Sequence, residues 1–187
     1  MKWYDRHITN SMNMYQTQRL GIFIDAQNIY HTSKMLFNAR VNYKTILEEA
    51  IQDRQLVRAF AYVIKSETQT EEPFFKALKD LGIETREKDL QIFFSGAKKA
   101  DWDVGLAMDI VRLTEKLDVI VLVSGDGDFT EVLRYVKSRG VKAEVMAFQK
   151  STSALLIEES DVFTDLAKDP KRFLIQSAGR RRVNKKK

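Results

Sequence analysis

The chain has 187 residues and 21.7 kDa, with 44% hydrophobic and 30% charged residues, the balance of one globular domain long enough to bury a core. It contains no cysteine and two histidines, His7 and His31, which excludes disulfide frameworks, zinc ribbons, iron–sulfur sites and thiol nucleophiles and leaves any metal mostly to oxygen ligands. The net charge of +5 is divided: nine cations against one anion follow residue 167, so the tail carries +8 and the remainder −3, an asymmetry that points to a polyanion or an anionic surface as partner.

Residues 1–18 read as a polar extension without the apolar core of a secretory signal. No stretch reaches the ~18 consecutive apolar residues of a membrane span, so a cytoplasmic protein with no membrane partner is expected. Short apolar runs at 20–24, 56–64, 119–123 and 141–147 predict strands, and helical spacing predicts helices over 29–37, 43–51, 71–81, 104–117 and 129–137. Pro73 after Thr70-Glu71-Glu72 suits a first helical turn, and Gly82 and Gly140 stand just past two helix ends. The stretch 83–94, broken by charges, reads as a strand plus a hairpin or edge segment. The run 119–123 is uninterrupted and β-branched, as for a strand buried on both faces of a parallel sheet. The chain therefore divides into an extension (1–18), one domain (19–167) and a basic tail (168–187) expected to be disordered. The alternation of strands and helices predicts an α/β fold with an open, mainly parallel sheet of about five or six strands flanked by helices.

Ligands of such sheets bind beyond the carboxyl ends of the strands, where strand order reverses. The residues this chain sends there are acidic. Asp25 directly follows the run 20–24 and opens Asp25-Ala26-Gln27-Asn28; as structure alone, Asp25 or Asn28 would cap the next helix. The run 119–123 leads into Ser124-Gly125-Asp126-Gly127-Asp128-Phe129, in which the glycines let the backbone turn tightly and approach a ligand. The structural alternative makes Asp128 the cap of the Phe129 helix and leaves Asp126 unexplained. Lys99-Ala100-Asp101-Trp102-Asp103 opens a further helix and returns Asp101 and Asp103 to the same edge, although acids in a first turn are ordinary dipole partners. Asp109 is ~600° of helical rotation beyond Asp103 and is expected to bond inside the fold.

Clustered aspartates with no nearby histidine or cationic clamp would repel one another or stay protonated. A hard divalent cation, Mg²⁺ or Mn²⁺, relieves that repulsion through oxygen ligands and retains waters for chemistry, the equipment of metal-assisted phosphodiester hydrolysis. No Walker loop or G-x-G-x-x-G follows the first strand, and a haloacid-dehalogenase phosphatase would want an aspartate where this chain has Gln27.

Phe23-Ile24-Asp25-Ala26-Gln27-Asn28, the segment from Lys99 to Asp109, and Ser124-Gly125-Asp126-Gly127-Asp128-Phe129 together resemble the NYN domain family, in its LabA-like (DUF88) branch, over about residues 20–166. The segment from Glu159 to Leu166 is similar to that family's closing segment, where a small strand completes the domain. The resemblance implies a PIN-like Rossmannoid fold and a metal-dependent ribonuclease. Its acidic residues fall on Asp25, Asp103, Asp126 and Asp128, with Asn28 as the polar partner on the first loop. Two positions depart: Gly127 replaces the second serine of the family's S-G-D-S-D-F motif, and Ala100 stands where a glycine is usual.

The expected function is therefore hydrolysis of RNA with Mg²⁺ or Mn²⁺. Asp25, Asp103 and Asp126 would be ligands, Asp128 a ligand or water-orienting base, and Asn28 a holder of ligand or phosphate. Ser124 and Asp101 would support them. Lys99 and the tail cations Arg180, Arg181, Arg182, Lys185, Lys186 and Lys187 would meet the RNA backbone. A catalytically silent RNA-binding or regulatory protein of the same fold is the alternative, and cleavage of DNA or small phosphoesters would use the same chemistry. Trp102, Phe93 and Phe94 are core residues or base-stacking surfaces. A homodimer is left open.

Overall fold

In the computed structural model, which describes residues 16–65, 71–89, 91–92, 98–99 and 101–176, β1 (Arg19–Asp25) leads into α1 (Ala26–Phe37), the short β2 (Ala39–Val41), α2 (Tyr43–Ile51) and β3 (Gln55–Lys65). Next come α3 (Glu72–Asp80), β4 (Glu84–Asp89) and an antiparallel pair, β5 (Gln91–Ile92) with β6 (Lys98–Lys99). A long crossover through α4 (Asp103–Leu113) reaches β7 (Val119–Val123), followed by α5 (Thr130–Ser138), β8 (Lys142–Ala147), α6 (Ala154–Glu159) and β9 (Val162–Asp165). The last elements are α7 (Pro170–Phe173) and β10 (Leu174–Gln176).

Six strands form one sheet in the order β4-β3-β1-β7-β8-β9, every neighbouring pair parallel. The expected α/β class and strand number are observed. β7 is buried along its whole length and β1 from Leu20 onward, which is why both read as continuous apolar runs rather than alternating ones. Helices end where the sequence provides left-handed caps: Gly82 and Gly140 have φ of 79° and 77°, conformations that cost glycine little. The stretch 104–117 divides into α4 and a 3₁₀ turn, Thr114–Lys116, before β7 begins.

Chain order places the site. From β1 the chain builds outward through β3 to β4, then crosses back to β7 on the other flank of β1. The strand order therefore reverses between β1 and β7, and a crevice opens at their carboxyl ends.

Part of the segment assigned to the basic tail is folded instead. Asp169 accepts the Arg172 N–H at 3.2 Å and caps α7, whose first residue is Pro170. Phe173 and Leu174 are buried, Arg172 pairs with Glu49 at 2.7 Å, and β10 runs antiparallel to β2. Two apolar residues with a capped turn dock this stretch although its cations suggested solvation. Residues 1–15, Phe93, Phe94, Ala100 and 177–187, with the tail cations from Arg180 on, lie outside the described residues.

Candidate metal centre

Ile24 pairs with Val123, so the next residues, Asp25 and Ser124, leave the sheet side by side at the reversal point. Asp25 is 9% exposed. Its Oδ1 accepts the Asn28 N–H at 3.0 Å and its Oδ2 accepts the Ser124 hydroxyl at 3.2 Å. The first bond makes Asp25 the N-cap of α1, so capping and site placement fall on one side chain. Ser124 Oγ in turn accepts the Asp126 N–H at 3.2 Å, and Asn28 Oδ1 accepts the Gly125 N–H at 3.0 Å. The loop after β1 thus holds the loop after β7 through two side chains. Asn28 spends its carbonyl oxygen on that tie.

Asp126 Oδ1 accepts the Asp128 N–H at 3.0 Å and caps a 3₁₀ turn, Gly127–Phe129, that precedes α5. The cap that the structural alternative assigned to Asp128 is made by Asp126, because the 3₁₀ turn begins the helical stretch at Gly127. Glycine is needed here for close approach. A Cβ on Gly125 would lie 2.9 Å from Thr152 Oγ1, and one on Gly127 would lie 2.9 Å from Ser153 Oγ. The Ser153 N–H, donating to Gly125 O at 3.0 Å, binds the two loops together.

Asp103 arrives from the third direction. Trp102 Nε1 donates to Val63 O at 2.9 Å, and its ring meets Tyr62 edge-on with centroids 5.5 Å apart. Lys88 Nζ donates to Asp101 O at 2.9 Å and lies 5.5 Å from the Trp102 ring centre. These contacts fix the first turn of α4 against β3 and β4 and aim Asp103 at the acidic loop. Asp103, Asp126 and Asp128 each offer a carboxylate oxygen, and these oxygens lie within 4.8 Å of one another. Asp25 stands outside that set, deeper in the crevice. Asp109 takes no part: it accepts the Tyr62 hydroxyl at 3.1 Å and pairs with Arg86 and Arg112 at 3.4 and 3.2 Å, inside the fold as expected.

The electrostatics is that of a site short of positive charge. Burial raises the pKa of Asp25, against the Asn28 and Ser124 hydrogen bonds, and the charges of Asp103 and Asp126 raise it further. Burial also raises the pKa of Asp103, with Asp126, Asp101 and Asp128 adding and Lys88 opposing. Among the described residues no lysine or arginine forms an ion pair with Asp103, Asp126 or Asp128. The all-oxygen donor set fits a hard divalent cation. Oxygens across an octahedral Mg²⁺ are ~4.2 Å apart, twice a ~2.1 Å bond, close to the 4.8 Å within which these three oxygens lie.

The NYN domain family profile matches residues 19–167. The chain belongs to the NYN domain family. It is 28% identical over 163 residues to the low amplitude and bright protein LabA of Synechococcus elongatus, covering 81% of this chain and 86% of that one. The crystal structure of a Vibrio parahaemolyticus protein of unknown function superposes with a TM-score of 0.78 at 30% identity, covering 86% of this chain and 98% of that one. The LabA-like branch and the PIN-like sheet are thereby shown.

In this NYN domain the structure brings Asp25, Asn28, Asp101, Asp103, Ser124, Asp126 and Asp128 to one edge of the sheet. Lys99 lies in β6, of which the backbone alone is described. Among the described residues no helix is long and apolar enough to cross a membrane. Sequence reasoning missed the walls of the site, Thr152 and Ser153 behind the glycines and Gln27, His31, Thr32 and Tyr62 around a cavity of about 360 Å³. The polar i, i+4 pairs Gln27/His31 and Asn28/Thr32 were the available signal.

Proposed function

We propose that this NYN domain is a divalent-metal-dependent ribonuclease that hydrolyses RNA phosphodiester bonds. The observation that carries the reading is the convergence of Asp103, Asp126 and Asp128 within 4.8 Å with no paired cation among the described residues, in a chain of a PIN-like nuclease family. Asp103, Asp126 and Asp128 would hold Mg²⁺ or Mn²⁺, with Asp25 joining directly or through water. The ion, when bound, orients the phosphate, lowers the pKa of the attacking water and stabilises the leaving oxygen. Asp25 keeps a carboxylate at the back of the crevice, placed by Ser124 and Asn28 N–H. Asp128, the most exposed of the three, is placed to orient a water from the solvent side. Asn28 and Ser124 hold the two loops in register so that the carboxylates need not reorganise on binding. Lys99 and the six cations of residues 180–187 would supply sequence-independent phosphate contacts.

Single-turnover cleavage of single-stranded RNA in Mn²⁺ or Mg²⁺, run beside a salt series of binding constants, tests the reading. The wild type should cleave. Asp126→Asn should bind RNA and lose most turnover, ~10²-fold or more. Deletion of residues 180–187 should weaken binding and flatten its dependence on log salt, with cleavage at saturating RNA retained. RNA binding without cleavage by the wild type in either metal would put a silent RNA-binding protein in place of the enzyme.

A further inference from the structure

The cations of this domain differ by flank in whether they are paired. Beside β3 and β4, Arg58 is held by Glu84, Lys65 and Lys79 share Glu87, and Lys76 meets Asp80. On the α4–α5 face, Arg112, Arg134, Lys137 and Arg139 each meet a carboxylate. The flank on the β8 side is different. Lys34 near the end of α1, Arg40 in β2, Lys150, Lys168 and Lys171 form no ion pair among the described residues, and all but the half-buried Lys34 are exposed. Residues 26–47 and 145–157 contain no aspartate or glutamate, and tertiary contacts bring these segments together. Phe37 packs against Phe148 with ring centroids 5.6 Å apart, which sets the end of α1 beside the turn that carries Lys150. Asp165 Oδ1 accepts the Gln149 and Ala167 N–H groups at 3.1 and 2.9 Å, so the next residues, Lys150 and Lys168, leave adjoining turns. Asn42 donates its N–H to Phe173 O at 2.8 Å and Arg40 pairs with Ile175, which joins β2 to the turn that carries Lys171. The chain then leaves from Gln176, opposite Ala39, into residues 177–187 with six cations and no acid.

We propose that this flank is a phosphate-binding track that carries RNA away from the metal centre over Lys34, Arg40, Lys150, Lys168 and Lys171, an inference that rests on the ribonuclease reading for its partner. The track begins where the site ends. Asp25 caps α1 and Lys34 stands nine residues later, ~14 Å along the helix axis. That is beyond the ~8 Å Debye length at physiological salt, so the Asp25 charge does not cancel it. On the other side, Lys150 lies two residues before Thr152, which packs behind Gly125 of the acidic loop. A cluster of carboxylates repels a polyanion, and the strand needs counter-charge beyond the reach of the bound ion. Cations already paired with Glu84, Glu87 or Asp80 present little net field, whereas unpaired cations steer the strand and release its condensed counterions. The contacts are with phosphate and carry no base sequence. Pairing of β10 with β2 roots the basic residues 177–187 on this same flank. None of the five cations belongs to the metal centre, so they govern residence on RNA and not the chemical step.

The test measures RNA binding by the full chain in EDTA, where it does not depend on turnover. Lys34→Gln with Arg40→Gln and Lys150→Gln should weaken binding of a ~20-nucleotide single-stranded RNA tenfold or more, and lower the slope of log affinity against log salt by about 2, ~0.7 for each lost contact. Lys65→Gln with Lys76→Gln and Lys79→Gln removes the same charge from the paired flank and should change affinity less than threefold. Melting temperatures should show both triple variants folded. Equal losses in the two variants, or no loss in the first, overturn the track. Met35 and Ile175 are also exposed on this flank, so vesicles of phosphatidylcholine with phosphatidylserine are the competing surface. Vesicle binding tighter than RNA binding and lost in the first variant would overturn RNA as the occupant. Cleavage in Mn²⁺ is scored separately, and at saturating RNA the first variant should cleave at the wild-type rate. Selective loss of binding without cleavage by the wild type keeps the track and removes the catalytic reading, whereas cleavage with equal binding by both variants removes the track and keeps the enzyme.

Discussion

Ser124 donates its hydroxyl to the buried Oδ2 of Asp25 at 3.2 Å. The two residues are 99 positions apart and meet because β1 and β7 are parallel neighbours in register. Ser124→Ala leaves Asp25 buried with its Asn28 N–H bond alone, which should raise the Asp25 pKa further and cost ~1–3 kcal/mol of stability. Denaturant unfolding and a carboxyl-carbon NMR titration of both proteins check this. An Asp25 titration that does not move would separate the two residues.

Asp103 has a native pKa above its ordinary value. Between the unfolded and native values the native state binds more protons, so this group's contribution to stability falls as pH rises through that window, and the charged form is a net cost at neutral pH. In EDTA at pH 7, Asp103→Asn should therefore melt above the wild type, and the gap should narrow as the pH falls through the raised native value towards the ordinary carboxyl value of ~3.9. Millimolar Mn²⁺ should reverse the ranking by stabilising the wild type alone. Melting curves across pH decide it, and a wild type indifferent to Mn²⁺ would contradict the metal centre.

Gly127 has no room for a side chain because Ser153 Oγ and Cβ stand 2.9 and 3.0 Å from the position a Cβ would take. Gly127→Ser should destabilise the fold by ~1–3 kcal/mol through overpacking. Adding Ser153→Gly should recover most of that loss, since the two positions are in contact and therefore not additive. A double variant no more stable than Gly127→Ser would show that the loop, not the side chain, sets the limit.

Away from the site, Arg54 and Glu144 form a buried ion pair with contacts at 2.9 and 3.0 Å, and Lys142 reaches the same carboxylate at 2.8 Å. Burial works to raise the Glu144 pKa, yet the Arg54 and Lys142 hydrogen bonds hold it below its ordinary value. Arg54→Ala leaves the buried carboxylate to Lys142 alone and should cost ~3 kcal/mol, whereas Arg54→Met with Glu144→Leu should restore most of the loss. Chemical denaturation of the single and double variants measures both.

The main strands and helices and the acidic character of the sheet edge were legible in the sequence. Apolar runs and helical spacing depend on each segment's own burial pattern, so the strands at 119–123 and 142–147 and the helix caps at Gly82 and Gly140 were legible locally. The placement of aspartates directly after two such runs was legible for the same reason. Strand order was decided by packing, and only that order sets Asp25 beside Ser124 and aims Asp103 at Asp126 and Asp128. β2 and β10 are three residues each, too short to carry a period, and become strands only by pairing across more than 130 positions. The hydroxyl behind Gly127 was likewise decided by segments that meet in space. Local pattern fixes what a residue is able to do, and long-range packing fixes which partners it meets.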